Sequence, residues 1–184
     1  MNMYSSVTIR NSCSTIKDSG GDLLLRGPFV FNRYWNKNDE TAKTFTECGW
    51  FITGDTAQCF PVEGCEQKAV YKILGRTSVD IIKSGGYKIS ALDIEKHLLS
   101  HPSIEECAVV GAPDEEWGER VAAIVVLKSN VKELGLDSLR AWCKKRMAVY
   151  SSPTILKIVP NLDRNYLGKV NKKELVKKMF LNPS

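Results

Sequence analysis

A chain of 184 residues is long enough for one good core, or for one compact domain with part of another, and 43% hydrophobic content is ordinary for a globular protein. The formal charge of +5 is mild, and the 26 Lys and Arg are spread among 21 Asp and Glu without aromatic–basic interleaving, so nucleic-acid binding is not expected. The longest clean apolar run, VAAIVVL at 121–127, is far too short to cross a bilayer, so a soluble protein without a transmembrane segment is expected.

The first twenty residues are rich in Ser and Thr and contain a single Arg. Residues 1–20 therefore read as a disordered or truncated start rather than a targeting segment. GDLLLRG at 21–27 predicts a short strand between glycines, and Asn36 to Thr44 a short helix with an Asn cap. GWFITGDTAQCF at 49–60 predicts two strand pieces broken at Gly54. A turn-rich PVEGCEQ and an alternating strand, KAVYKIL at 68–74, follow. VDII reads as a buried strand, and SGGYK at 84–88 as a hairpin turn.

Ser90 followed by Asp93 is a capping signal for a helix that Pro102 stops. Strands are expected at 104–113 and 119–128, joined by the turn-like PDEEWG. A helix is expected over about 136–148 and a third strand at 153–159. A final helix, KKELVKKMF, is expected behind an Asn171–Glu174 cap. The expected fold class is α+β. A β-rich piece at 21–77 leads into a small domain at 78–184, with a three-stranded sheet flanked by helices.

Six cysteines at 13, 48, 59, 65, 107 and 143 form no CxxC pair, which fits a reducing compartment better than a disulfide framework. His97 and His101 share a helix spacing, but Leu98 stands where a zincin needs Glu, so no metal site is expected.

Four short signals remain. Asp55 in TGD can accept two hydrogen bonds from a vicinal diol, and Gly-Asp serves equally as a plain β-turn. Arg76 after Gly75 offers forked contacts to phosphate or hydroxyl oxygens, or is a surface residue at a strand end. Gly85 and Gly86 let a backbone approach closely, with Tyr87 and Lys88 supplying an aromatic face and a cation. Lys169 follows Gly168 ahead of a helix start, where the macrodipole disfavours a lysine, and can reach an anionic centre as a point charge.

Taken in order, TGD, GR, IKSGGYKI, PDEEWGERV and the GK of NYLGKVNKKE resemble the carboxyl-terminal part of the adenylate-forming enzymes. This superfamily comprises acyl-CoA synthetases, luciferases and nonribosomal adenylation domains. LLLRGPFVFNRYWNK and GRTSVDIIKSGGYKISALDIE look most like its malonyl-CoA-forming, mitochondrial branch.

The resemblance implies a carboxylic acid, malonate in that branch, that attacks the α-phosphate of magnesium-bound ATP, followed by coenzyme A displacing AMP. It implies that Asp55 binds ribose and Arg76 the nucleotide, and that Lys169 is the adenylation lysine. It implies a hinge at Thr77, Ser78 and Asp80, and a coenzyme A path along Gly85, Gly86, Tyr87 and Lys88. The small domain is then expected to turn about that hinge between two working positions. Asp163 stands where many such enzymes have proline, which is expected to loosen the Lys169 loop, and a longer hairpin is expected between TGD and GR. The family's phosphate loop and acyl pocket lie upstream of the matching region, so these residues alone are not expected to adenylate. The alternative is a non-catalytic small domain that binds coenzyme A or a partner protein.

Overall fold

The computed structural model describes residues 6–10, 20–62 and 65–181. The chain divides into two units, Met1–Ser78 and Val79–Ser184.

Unit 1 is a four-stranded antiparallel sheet in the order β1-β2-β3-β4, formed by Ser6–Arg10, Gly21–Arg26, Phe51–Val62 and Cys65–Arg76. β1 lies in the stretch expected to be unstructured, paired along β2 from Ser6↔Arg26 to Arg10↔Asp22. Residues 1–5 and 11–19 lie outside the described residues.

The expected break at Gly54 is absent: β3 runs through it. Gly54 takes φ 77, which a glycine accepts without a Cβ penalty, and the ladder resumes at Asp55↔Arg76. The long hairpin between TGD and GR is present as β3 and β4. Helix α1 spans Asn38–Thr44, but Lys37 occupies the cap position and makes no side-chain cap bond. Asn36 lies just outside at φ 52, so the expected Asn cap does not form. Leu23, Leu24, Thr56, Ala57 and Leu74 are buried in this unit.

Unit 2 carries a five-stranded sheet rather than three strands. The hairpin of β5 (Ile81–Ser84) and β6 (Tyr87–Ser90) joins it through Ser84↔Gly118. Antiparallel β7 (Ile104–Asp114) and β8 (Gly118–Leu127) form its centre, and β9 (Ile155–Ile158) runs parallel to β8. The two extra strands come from the SGGYK segment, whose turn closes the β5–β6 ladder.

Both sheet faces are covered, which explains why VAAIVVL is an unbroken apolar run. Val121, Ala123 and Val125 pack on one side with Ile94 and Leu98 of α2 (Ala91–Leu98) and with Leu139 and Cys143 of α3 (Leu136–Cys143). Ala122 and Ile124 face the other way, against Leu162 and Leu175. Leu175 belongs to α4 (Lys172–Val176).

The caps predicted from sequence form at α2, where the Ser90 side chain accepts from Asp93 N, and at α4, where Asn171 accepts from Glu174 N. α3 ends at Cys143, five residues before the expected 148, and a single 3-10 turn follows at Val149–Ser151. α4 gives way to a π-turn at Lys177–Leu181. Among the described residues, no helix is long and apolar enough to cross a membrane.

Candidate functional site

In unit 1 the β3–β4 ladder places Asp55 directly opposite Arg76. Arg76 Nε lies 3.0 Å from Asp55 Oδ1, and its Nη1 donates to Thr53 O at 2.9 Å. The Asp55 amide donates to Thr53 Oγ1, which in turn donates to Leu23 O, so the TGD bend is tied to β2. A Cβ at position 54 would lie 3.1 Å from Arg76 Nη1, so glycine leaves room for the guanidinium. The Arg76 side chain is 61% exposed and that of Asp55 26%. This pair is therefore a surface fork that presents a carboxylate and a guanidinium together. Thr77 continues the same construction: its amide donates to Gly54 O, and its hydroxyl lies 2.8 Å from that of Thr56.

In unit 2 the β5–β6 hairpin turns on Gly85 and Gly86, at φ 53 and 84, a two-residue connection with both centres left-handed. Their surroundings differ. The Gly85 amide donates to Trp117 O, and a Cβ there would meet Trp117 Cε3 at 2.8 Å. A Cβ on Gly86 would meet nothing within 4 Å, so the Gly86 side of the turn faces open space.

The PDEEWGERV segment shapes the other half of this contact. Asp114 Oδ1 accepts from the amides of Glu116 and Trp117, and Glu119 Oε2 accepts from Lys83 N at 2.6 Å. These bonds tie the β7–β8 turn to β5 and set Trp117 beneath Gly85.

Beside this turn is a cavity of about 310 Å³, bounded among others by Tyr87, Trp117, Arg120, Arg140, Tyr150 and Ser152. Tyr87 and Tyr150 stack at 4.5 Å with rings 10° from parallel. Ser152 is 2% exposed, and its Oγ, like Arg140 Nε, is buried without a hydrogen-bond partner. Such groups cost free energy unless something satisfies them. Aromatic faces, two guanidinium groups and unsatisfied polar atoms together suit a planar, anionic ligand.

Sequence reasoning found Gly85, Gly86 and Tyr87 but missed Trp117, Arg120, Arg140, Tyr150 and Ser152. Trp117 had a signal, since it precedes a glycine inside a quoted motif. Tyr150 follows an expected helix and carried none. Lys88 lies on β6 and is exposed, and it does not line the cavity.

Lys169 is exposed on the loop between β9 and α4. Asn165 Oδ1 accepts from the amides of Leu167 and Lys169, Asn165 N donates to Lys169 O, and Arg164 Nη1 donates to Gly168 O. Arg164 also pairs with Glu106 on β7. Asp163 lies 2.8 Å from Lys178 Nζ, and the loop is closed by its own Asn and Arg side chains.

Two carboxylates and a lysine form a further cluster in unit 2. Lys172 Nζ lies 2.7 Å from Asp80 Oδ1 and 2.9 Å from Glu95 Oε1. Among the described residues, no group of three or more His, Cys, Asp or Glu could hold a metal ion.

Residues 93–169 match the family described as the AMP-binding enzyme C-terminal domain, a match that ends on Lys169. Over a longer stretch, the chain is 50% identical over 164 residues to the mitochondrial malonate–CoA ligase of Mus musculus, covering 89% of this chain and 27% of the relative. It is 42% identical over 168 residues to the malonate–CoA ligase of Arabidopsis thaliana, covering 86% and 27%.

Among solved structures, the o-succinylbenzoate–CoA synthetase of Bacillus subtilis, in complex with an acyl-adenylate intermediate, matches with TM-score 0.75 and 30% identity over 93% of this chain and 33% of that one. ATP-bound MatB of Rhodopseudomonas palustris matches with TM-score 0.74 and 28% identity over 96% and 34%. The chain thus spans about a quarter of the length of the curated relatives and a third of the solved ones.

Proposed function

We propose that this chain is the carboxyl-terminal part of an ATP-dependent acid–thiol ligase, which activates a small carboxylic acid as its acyl-adenylate and transfers the acyl group to coenzyme A. Malonate is the acid that the named relatives favour. The observation that carries the reading is Lys169, an exposed cation on a braced loop at the end of the matched domain.

As the carboxylate oxygen bonds to the α-phosphorus and pyrophosphate leaves, negative charge moves from the acid onto the α-phosphate oxygens and the leaving pyrophosphate. A fixed ammonium at those oxygens lowers that barrier, by about 3 kcal/mol for one such contact. Asp55 accepts from the ribose hydroxyls and Arg76, already forked toward it, holds the nucleotide. Magnesium would enter bound to ATP.

In the second step the coenzyme A thiol loses its proton, sulfur bonds to the acyl carbon, and AMP departs. Gly86 leaves the open side along which the thiol arm passes. Tyr87 and the neighbouring cavity, with Arg120 and Arg140, receive the anionic nucleotide end. Unit 1 then closes the large nucleotide-binding domain, and unit 2 is the small domain that turns about the Thr77–Asp80 segment between the two steps. The relatives' names support a mitochondrial location.

The test is ATP–pyrophosphate exchange with malonate in a protein extended to the relatives' length, with Lys169→Ala as control. Exchange that depends on malonate and falls about a hundredfold in the variant is expected. Exchange unaffected by Lys169→Ala overturns the reading.

A second reading is favoured by the cavity being complete within unit 2: a non-catalytic domain that binds coenzyme A. Calorimetric titration of the 184-residue chain with coenzyme A, alongside an exchange assay of the extended protein, separates the two. Binding without exchange is expected of the chain by itself under either reading. Exchange in the extended protein selects the ligase.

A further inference from the structure

Lys172 is the first residue of α4, where the helix dipole disfavours a cation. It is nonetheless held there, with its side chain only 13% exposed, between Asp80 at 13% and Glu95 at 16%. Each partner binds a second element. Glu95 Oε1 also accepts from Val109 N on β7, and Asp80 O accepts from Ala91 N at the start of α2. One ammonium therefore joins α4, α2, β7 and the turn that opens unit 2.

We infer that Lys172 is a positioning residue that makes the Lys169 loop and the turn ending at Asp80 one mechanical body; the inference rests on the adenylation role proposed for Lys169. Lys172 follows Lys169 by three positions, at most about 11 Å of extended chain. The Arg164↔Val170 bridge closes the loop immediately before the Asn171 cap, leaving little slack.

At the other end, Thr77 is hydrogen-bonded to Gly54 and Thr56 inside unit 1, whereas Asp80 is bonded inside unit 2. The pivot expected over Thr77, Ser78 and Asp80 thereby narrows to the two residues between the pinned ends, Ser78 and Val79. A turn there carries Asp80, Lys172 and the Lys169 loop together, so the position of the lysine follows the position of the hinge without play.

Removing the ammonium leaves two partly buried carboxylates near each other without the cation that bridges them. Amide hydrogen exchange of the full 184-residue chain reads the consequence directly. With Lys172→Met, the amides of residues 79–82 and of 164–170 are expected to exchange at least tenfold faster, and together, while those of β7 and β8 keep their protection. Lys172→Arg, which can reach both carboxylates, is expected to restore both segments. If Lys172→Met does not fold, Asp80→Asn is read in the same way, since it removes one charge and keeps an acceptor.

Faster exchange confined to α4, or spread evenly over unit 2, overturns the coupling. In the extended enzyme, Lys172→Met is expected to lower the adenylation kcat at least tenfold, with the KM for ATP and the transfer from supplied acyl-adenylate to coenzyme A unchanged. If the exchange results hold and adenylation does not respond, the reading of Lys169 fails and the tether stands.

Discussion

Gly85 and Gly86 share one turn and the same left-handed backbone, yet alanine should affect them differently. An alanine in that conformation costs about 1–2 kcal/mol, less about 0.4–1 kcal/mol recovered from the stiffer unfolded chain. Gly86→Ala, with nothing within 4 Å of its new carbon, should show only this backbone term, about 1 kcal/mol. Gly85→Ala adds a clash at 2.8 and 2.9 Å with the Trp117 ring. Overpacking of this kind costs about 1–3 kcal/mol.

Trp117 is 51% exposed, so its ring can swing outward, but the Gly85 N to Trp117 O bond holds the two backbones together. The lower half of that range is therefore expected, giving a difference between the variants of about 1–2 kcal/mol. Urea denaturation followed on the indole resonances of Trp117 and Trp142, both in unit 2, measures it. Equal destabilisation of the two variants would refute the steric argument. Function should order them the other way in the extended enzyme: Gly86→Ala folds well but slows thioester formation, because its methyl group enters the open side of the turn.

Three further outcomes are expected. Lys169→Ala should leave unfolding free energy within about 0.5 kcal/mol of the parent, since the side chain is exposed, while the adenylation barrier rises about 3 kcal/mol. His101 is buried, and burial first, then Arg146 and Lys128, lower its pKa below the ordinary 6.5. The unfolded chain therefore takes up the proton first, so this residue's contribution is full above pH ~6.5 and is lost as the pH falls toward the folded value. His101→Asn, which keeps an acceptor for the Ser103 amide, should flatten that limb of a stability–pH curve. Burial, with Glu95 adding, pushes the Cys107 thiol up to about 12, so iodoacetamide at pH 8 should spare it in the native chain and label the exposed Cys48 and Cys59.

Where local chemistry decides the structure, the sequence was informative. Ser90 and Asn171 cap the helices they were expected to cap, because a side-chain oxygen three residues before an amide needs no tertiary partner. The apolar run at 121–127 falls in a strand, as expected, and the structure adds that both its faces are covered. The misses lie where tertiary contacts override local signals. Gly54 reads as a break, but strand pairing on both sides carries β3 through it. The helix expected to reach 148 stops at Cys143, since beyond it the chain must turn to deliver Tyr150 onto Tyr87.

The same distinction separates the parts of the candidate site. Asp55, Arg76 and Lys169 each directly follow a glycine, and Gly85 and Gly86 form a pair, so all five stand out as local arrangements. The cavity is assembled from residues 84 to 154, and nothing at Arg140 or Ser152 announces that a buried Nε and Oγ will share one wall. Lys172 falls between these cases. A lysine at the start of a capped helix contradicts the dipole rule, and that contradiction was noticed at Lys169, three residues too early. Lys169 lies ahead of α4, exposed, where the dipole has little hold on it. Lys172 is inside the helix, and it is there that two carboxylates compensate the misfit. The anomaly in the sequence was real, and the residue that resolves it is the one that fastens the loop rather than the one that reaches out of it.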